Sequence, residues 1–378
     1  MRYSEFCGEQ LSALGLGMMR LPCTDEKSLC VDEAQVKKMI DHAIENGINY
    51  FDTAWIYHGG NSEAAAGKLL TRHPRSKYCI ATKYPAMLPE VLNNARGVFE
   101  TQLQRCNCQF FDFYLLHNVN ENTIEYYLDE EKYHIVSYFA EQKKRGLIRH
   151  LGFSCHCSVE TLKRFLERYG DLMEFGQVQL NYLDWHLQDG ERKVALLSEY
   201  GIPVWVMEPL RGGKLVDPPA DIKAELEKIR PGMNSLETAF RFLQSIPQVK
   251  VVLSGMGNLQ QLEENIRIFS EGEVLTEQER DQVVAIADRM TGSIGVPCTG
   301  CRYCVDKCPA KLDIPLLLAQ YNEHKVSGGS WIAKMVIDKL AESQRPGACI
   351  SCGNCTGTCP QQIPVPEILH KFAAELEK

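Results

Sequence analysis

From Cys298 onward the chain carries one cysteine pattern twice: Cys298-x2-Cys301-x2-Cys304-x3-Cys308-Pro309, then Cys349-x2-Cys352-x2-Cys355-x3-Cys359-Pro360. A run of C-x2-C-x2-C-x3-C-P is the bacterial ligand pattern of [4Fe–4S] clusters, in which three thiolates hold one cubane and the fourth serves the other. The expected sets are therefore Cys298, Cys301 and Cys304 with Cys359, and Cys349, Cys352 and Cys355 with Cys308. Tetrahedral zinc is the alternative, but it typically takes paired C-x2–4-C units or histidine partners. These eight are half of the chain's 16 cysteines, and the others are scattered over the preceding 297 residues.

The N-terminus MRYSEFCGEQ has no apolar signal-like core, and no apolar run is long enough to span a bilayer. A cytoplasmic location is expected, where thiols stay reduced and a disulfide framework has no place. Hydrophobic residues make up 44% and charged residues 24% of the 378, a core-forming balance that excludes global disorder. A net charge of −8 argues against nucleic-acid or membrane partners, which attract basic surfaces. The compact basic run Lys143-Lys144-Arg145 precedes Gly146 and reads as a solvated helix end.

Ahead of the cysteine runs, short β-rich segments alternate with helical spacing. They are LGLG (14–17), YFDTA (50–54), KYCIATKY (77–84), FDFYLLH (111–117), HLGFSCH (150–156), GQVQLNYL (176–183), PVWVMEP (203–209) and KVVLSG (250–255). In the first helical stretch Val36, Met39, Ile40 and Ala43 share one face, and Gly47 stands where a helix C-cap belongs. Eight such strands separated by helices predict an α/β chain built as a (β/α)8 TIM barrel of about 250 residues. An open doubly wound sheet would carry G-x-G-x-x-G after its first strand. Here that strand leads into Met18-Met19-Arg20 instead. The expected division is a barrel over 1–290 and a small, mainly helical domain over 291–378, with helices near 314–322, 331–342 and 366–377.

Four polar residues stand at or just past strand ends, where barrels keep their chemistry. They are Asp52 and Tyr57 in DTAWIY, Lys83 and His117. Taken singly, each has a structural reading as helix cap, half-buried aromatic, ion-pair partner or core histidine. Together, with LSALGLGMMRL, NGINYFDTAWIYHGGNSE, GFSCH and VQLNYLDW, they resemble the catalytic tetrad and surroundings of the aldo-keto reductase family. The resemblance covers about residues 1–290. The 40 helical residues between Cys308 and Cys349 make the rest similar to an α-helical two-cluster ferredoxin domain.

The family resemblance implies a nicotinamide cofactor, NADP(H) or NAD(H), across the barrel mouth. Ser154 and Gln179 match carboxamide-binding positions, with Cys155 where the family commonly has Asn. Glu208, Leu210, Arg211 and Gly212 match a pyrophosphate-covering loop. Ser254, Gly255, Met256 and Gly257 lead into a helix N-terminus, a ready anion site, and Gln261, Glu264 and Asn265 match adenosine-contacting positions. Members that prefer NADP(H) use Lys or Arg near this loop, and residues 251–266 contain neither.

The implied chemistry is interconversion of a small carbonyl substrate and its alcohol. Tyr57 would give the proton, its phenol made more acidic by Lys83. Asp52 would pair with Lys83, and His117 would hydrogen-bond the substrate oxygen. Trp55, His58 and Trp185 are candidate pocket walls. Two further readings stay open: an electron-transfer enzyme whose clusters serve a redox partner protein, and a non-enzymatic redox sensor. No flavin motif is present to join two-electron and one-electron chemistry.

Overall fold

The computed structural model describes residues 1–24, 29–296, 298, 300, 302, 304–329, 331–359 and 362–377, with the side chains of 292–294 set aside. The chain divides into two compact units, Met1–Asp184 with Asp189–Asp281, and Trp185–Gln188 with Gln282–Lys378. Among the described residues no helix is long and apolar enough to cross a membrane.

The first unit opens with a hairpin, β1 (Tyr3–Phe6) and β2 (Glu9–Ser12). Its two turn residues, Cys7 and Gly8, both have positive φ, at 50° and 82°, as the right-handed twist of a two-residue hairpin requires. Eight parallel strands follow: β3 (Leu14–Gly17), β4 (Tyr50–Asp52), β5 (Cys79–Tyr84), β6 (Phe111–Val119), β7 (Ile148–Cys155), β8 (Phe175–Gln179), β9 (Val204–Met207) and β10 (Val249–Ser254). Each pairs with the next, and β10 closes onto β3, so all eight expected strands meet in one barrel. Closure leaves no strand edge to solvent.

Helices alternate with the strands and bury one stripe each. In Glu33–Glu45 the stripe is Val36, Met39, Ile40 and Ala43, as the spacing predicts, and Asp32 caps the first turn by accepting the Gln35 amide hydrogen. The hairpin covers the N-terminal end of the barrel. There Phe6 and Leu11 pack with Tyr50, Phe113, Phe175 and Trp205. Burying each such side chain contributes roughly 1.5–3 kcal/mol relative to exposure. With that end plugged, the C-terminal ends of the strands remain as the open face.

The second unit is helical, with Ile314–Ser327, Trp331–Lys339, Asn354–Thr358 and Val365–Leu376. Leu312, Leu317, Ile337, Leu369 and Phe372 form its core, and Cys304 and Cys355 are part of it. Asn322 holds both the amide and the carbonyl of Val296, at 2.7 and 2.8 Å, and so anchors the chain just before the first cysteine run.

Candidate active site

Asp52 is the last residue of β4, Lys83 lies next to the end of β5, and Tyr57 opens the short turn Tyr57–Gly60 after β4. β4 and β5 are register neighbours, which brings the carboxylate and the ammonium to one end of adjacent strands. Lys83 Nζ donates to Asp52 Oδ1 at 2.5 Å, to the Thr53 carbonyl at 2.8 Å and to the Tyr57 hydroxyl at 3.3 Å. It also lies 4.8 Å from the centre of the Tyr57 ring. Lys83 is fully buried and Asp52 nearly so. Such a pair is held by its hydrogen bonds, because charge attraction alone barely offsets desolvation.

β6 does not end at His117. It runs on to Val119 through a register irregularity after Leu116, with Asn118 at a φ of 57°. The bulge re-aims local side chains, as bulges near active sites do. The His117 ring stands edge-on to Tyr57, with centroids 6.3 Å apart.

Burial sets the protonation states here. It lifts the Tyr57 phenol, while Lys83 pulls it down less strongly, so the net direction is above the ordinary tyrosine value rather than below it as the sequence suggests. Burial opposes the charge on Lys83, but Asp52 and then Tyr57 outweigh it and hold the lysine above its usual range. Burial also lifts Asp52 against the pull of Lys83. His117 is driven well below the usual histidine range by burial and then by Lys83, and so is neutral near pH 7.

The matched cofactor positions share this face. Ser154, near the end of β7, accepts the Asn118 amide hydrogen at 2.8 Å. Gln179 has both ends of its amide engaged, the oxygen with His156 at 3.1 Å and the nitrogen with Asp184 at 2.9 Å. Gln177, two residues earlier, is in register with Ser154 across β7 and β8. Its buried Oε1 has no hydrogen-bond partner among the described residues. Gln177 and Gln179 lie on the same face of one strand, and only their neighbours tell them apart.

After β9, Glu208, Arg211, Gly212 and Gly213 all have positive φ, and Glu208 accepts the Gly212 amide hydrogen at 2.9 Å. Arg211 is buried with its guanidinium against Asp184, and Leu210 stays half-buried. Asp184, absent from the sequence-derived candidates, thus joins Gln179 to the loop after β9. After β10, Ser254 accepts from Asn265 at 3.0 Å, and Met256 is buried beside the exposed Gly255. The helix Leu259–Ser270 is capped from within: Asn258 accepts the Gln261 amide hydrogen and Gln261 accepts that of Gly257. Glu264 is half-buried on its first turns. Of the suggested walls, Trp55 stacks under Arg105 at 4.1 Å, His58 bonds the Leu21 amide, and Trp185 falls in the second unit.

Buried polar atoms without partners among the described residues recur on the tetrad and cofactor strands: Asp52 Oδ2, His117 Nδ1, Asn118 Oδ1 and Gln177 Oε1. Unpaired buried groups are costly, so this face fits a polar ligand such as a nicotinamide carboxamide. In the second unit Cys308, Cys349, Cys352 and Cys355 line one hollow, otherwise walled by apolar side chains such as Leu312 and Leu369. Four thiols around one apolar hollow fit a thiolate-held cluster. Cys298, Cys304 and Cys359 pack on the same core, whereas Cys301 and Pro360 lie outside the described residues.

The site is thus a parallel barrel with the buried Asp52–Lys83–Tyr57 group, and His117 beside it, at the C-terminal ends of its strands. Residues 13–288 match the aldo/keto reductase family model, and residues 297–363 match that of a 4Fe-4S dicluster domain. The chain belongs to the aldo/keto reductase family and carries an iron–sulfur domain after the barrel. It is 26% identical over 302 residues to the uncharacterized oxidoreductase YqkF of Bacillus subtilis (strain 168), spanning 71% of this chain and 90% of that one. The thermostable aldo-keto reductase Tm1743, solved with the inhibitor epalrestat, is similar at TM-score 0.62 and 25% identity, over 76% of this chain and 100% of that one. The holo form of aldo-keto reductase AKR11C1 from Bacillus halodurans shares the fold at TM-score 0.63 and 24% identity, over 76% and 96% of the two chains.

Proposed function

We propose that residues 1–290 interconvert a small aldehyde or ketone with its alcohol, using NADP(H) or NAD(H), and that residues 291–378 hold two [4Fe–4S] clusters. The observation that carries the first half is the buried chain from Asp52 through Lys83 to Tyr57 with neutral His117 beside it. A reduced nicotinamide supplies hydride when bound. Tyr57 gives its proton to the carbonyl oxygen, and neutral His117 offers that oxygen a hydrogen bond where negative charge grows. Lys83 stabilises the phenolate left behind, and Asp52 keeps Lys83 charged against its burial.

Ser154 and Gln177 have hydroxyl and amide groups suited to the carboxamide, and Gln179, the last residue of β8, has its own amide engaged by His156 and Asp184. Glu208, Leu210 and Gly212 would cover the pyrophosphate. With Arg211 paired to Asp184, that loop contributes backbone rather than a guanidinium. Ser254, Gly255, Met256, Gly257, Gln261, Glu264 and Asn265 would hold the adenosine half. Residues 251–266 offer no cation for a 2′-phosphate, but Arg20 packs against Gly255, so the reading covers both NAD(H) and NADP(H).

The Cys308, Cys349, Cys352 and Cys355 cavity supports one crossed cluster, and Cys298, Cys301, Cys304 and Cys359 would form the other set. A second reading has these clusters exchange single electrons with a redox partner protein. Its support is Cys352, which lines that cavity and is itself exposed. Anaerobic titration with NADH and NADPH tests both readings. Turnover of an aldehyde panel without bleaching of the iron–sulfur absorbance supports the reductase alone. Bleaching by the nicotinamide supports electron exchange, and neither turnover nor bleaching would refute both.

A further inference from the structure

The turn that carries Tyr57 continues through three left-handed residues: His58 at a φ of 51°, Gly59 at 63° and Gly60 at 95°. Glycine takes such angles freely, but a histidine does so only where contacts hold it. His58 has those contacts. The Leu21 amide donates to Nε2 at 3.2 Å. A backbone amide can only donate, so Nε2 is bare and the ring proton of the neutral imidazole sits on Nδ1. Nδ1 lies 3.4 Å from Cys23 Sγ, and the Cys23 thiol donates to the Leu21 carbonyl at 3.6 Å.

Three hydrogen bonds therefore close a ring: Leu21 to His58, His58 to Cys23, and Cys23 back to Leu21. The far side of the same turn is tied to the same loop, because Ser62 donates to the Met18 carbonyl at 3.0 Å and bonds Thr53 at 2.7 Å. The segment after β3 thus grips the Tyr57 turn at both ends.

We propose that His58 is a positioning residue for Tyr57, kept in one tautomer by Leu21 and Cys23. The ring fixes the turn so that the phenol stays within reach of Lys83, 3.3 Å away. This rests on the reading of Tyr57 as the proton donor. Neither Cys23 nor His58 needs to touch substrate for the effect, because a small displacement of the donor is enough to slow proton transfer.

Three variants of the full-length, anaerobically prepared protein test it. His58→Phe keeps a ring but loses both hydrogen-bonding atoms, His58→Gln keeps an acceptor for the Leu21 amide, and Cys23→Ala removes the thiol alone. The Phe variant should lose about 10- to 100-fold in kcat for aldehyde reduction, the scale of a donor misplaced by about 1 Å, with nicotinamide Kd within about two-fold of wild type. Amide exchange in peptides covering 18–24 and 57–60 should accelerate while the strands stay protected. Gln should restore most of the rate and the protection, and Cys23→Ala should show a smaller loss in the same direction. Faster exchange with an unchanged kcat would overturn the positioning role, and unchanged exchange would overturn the ring itself. A wild-type protein that turns over no carbonyl would instead refute the reductase reading, and exchange at Leu21 would still decide the ring.

Discussion

Burial and the Lys83 charge pull the Tyr57 phenol in opposite directions, and burial wins. The sign decides what a pH profile should look like. Reduction needs the protonated phenol, so its rate is present below the Tyr57 pKa and lost as pH rises through it. The alkaline limb therefore lies above the ordinary tyrosine value. Lys83→Met removes the opposing influence, so the limb should move further up while turnover falls, because a weaker acid donates less readily. Rate profiles of the two proteins check this, and a limb that moves down would mean Lys83 does not act on the phenol. Tyr57→Phe should lose about 10²–10⁴-fold in turnover, the usual contribution of a general acid, with nicotinamide affinity nearly kept. The grouping of Asp52, Tyr57, Lys83 and His117 was legible in the sequence because its members sit at or near strand ends that the alternation of strands and helices already locates. The family resemblance points to Gln179 for the carboxamide; the unpartnered Gln177 was not legible, since the two share a strand face and differ only in what surrounds them. Gln177→Leu should weaken nicotinamide binding roughly 3- to 10-fold, the worth of about one net hydrogen bond. Gln179→Leu would remove the hydrogen bonds to His156 and Asp184, so a cost of about 0.5–1.5 kcal/mol for each should fall on unfolding stability instead. Equal effects of the two on affinity would refute that division.

At the scale of elements, the eight barrel strands were legible because buried parallel strands read as apolar runs bounded by turns. The hairpin β1–β2 was not. Its strands are four residues each, and its turn is Cys7-Gly8 rather than the Asn-Gly or Asp-Gly that announces such a loop. The alternation in YSEF and EQLS is too short to stand out from its surroundings. Tertiary packing decides it: Phe6 sits edge-on to Trp205 at 5.0 Å and to His150 at 4.9 Å, filling the barrel's N-terminal end. Phe6→Ala should cost about 3–5 kcal/mol, the range for a buried phenylalanine that leaves a cavity. Denaturant unfolding measures that loss. Nicotinamide affinity should stay unchanged, because the cofactor positions lie at the other end of the strands. A loss of affinity without a loss of stability would show that the hairpin does something other than plug the barrel.

For the whole molecule, the question is whether each cysteine run serves one cluster or shares its fourth thiol. The spacing alone leads to the crossed arrangement by analogy with other C-x2-C-x2-C-x3-C-P runs. The fold adds an independent argument: Cys308 closes the first run in sequence, yet it lines the same cavity as Cys349, Cys352 and Cys355 of the second. The first run by itself does not show this, because the helices Ile314–Ser327 and Trp331–Lys339 lie between the two runs and their packing decides where Cys308 ends up. Cys308→Ser should therefore remove iron from the cluster of the second run and spare the first. Iron and sulfide analysis of anaerobically prepared protein should fall from about eight of each toward about four, and low-temperature electron paramagnetic resonance after reduction with dithionite should keep one cluster signal. Cys298→Ser should do the reverse and remove the other signal. If both variants lost the same cluster, each run would be serving its own cubane, and the cavity around Cys308 would be packing rather than ligation. If the protein held zinc instead of iron and sulfide, the cluster reading would fail as a whole. The barrel's chemistry would still stand, because Asp52, Tyr57, Lys83 and His117 all belong to the first unit.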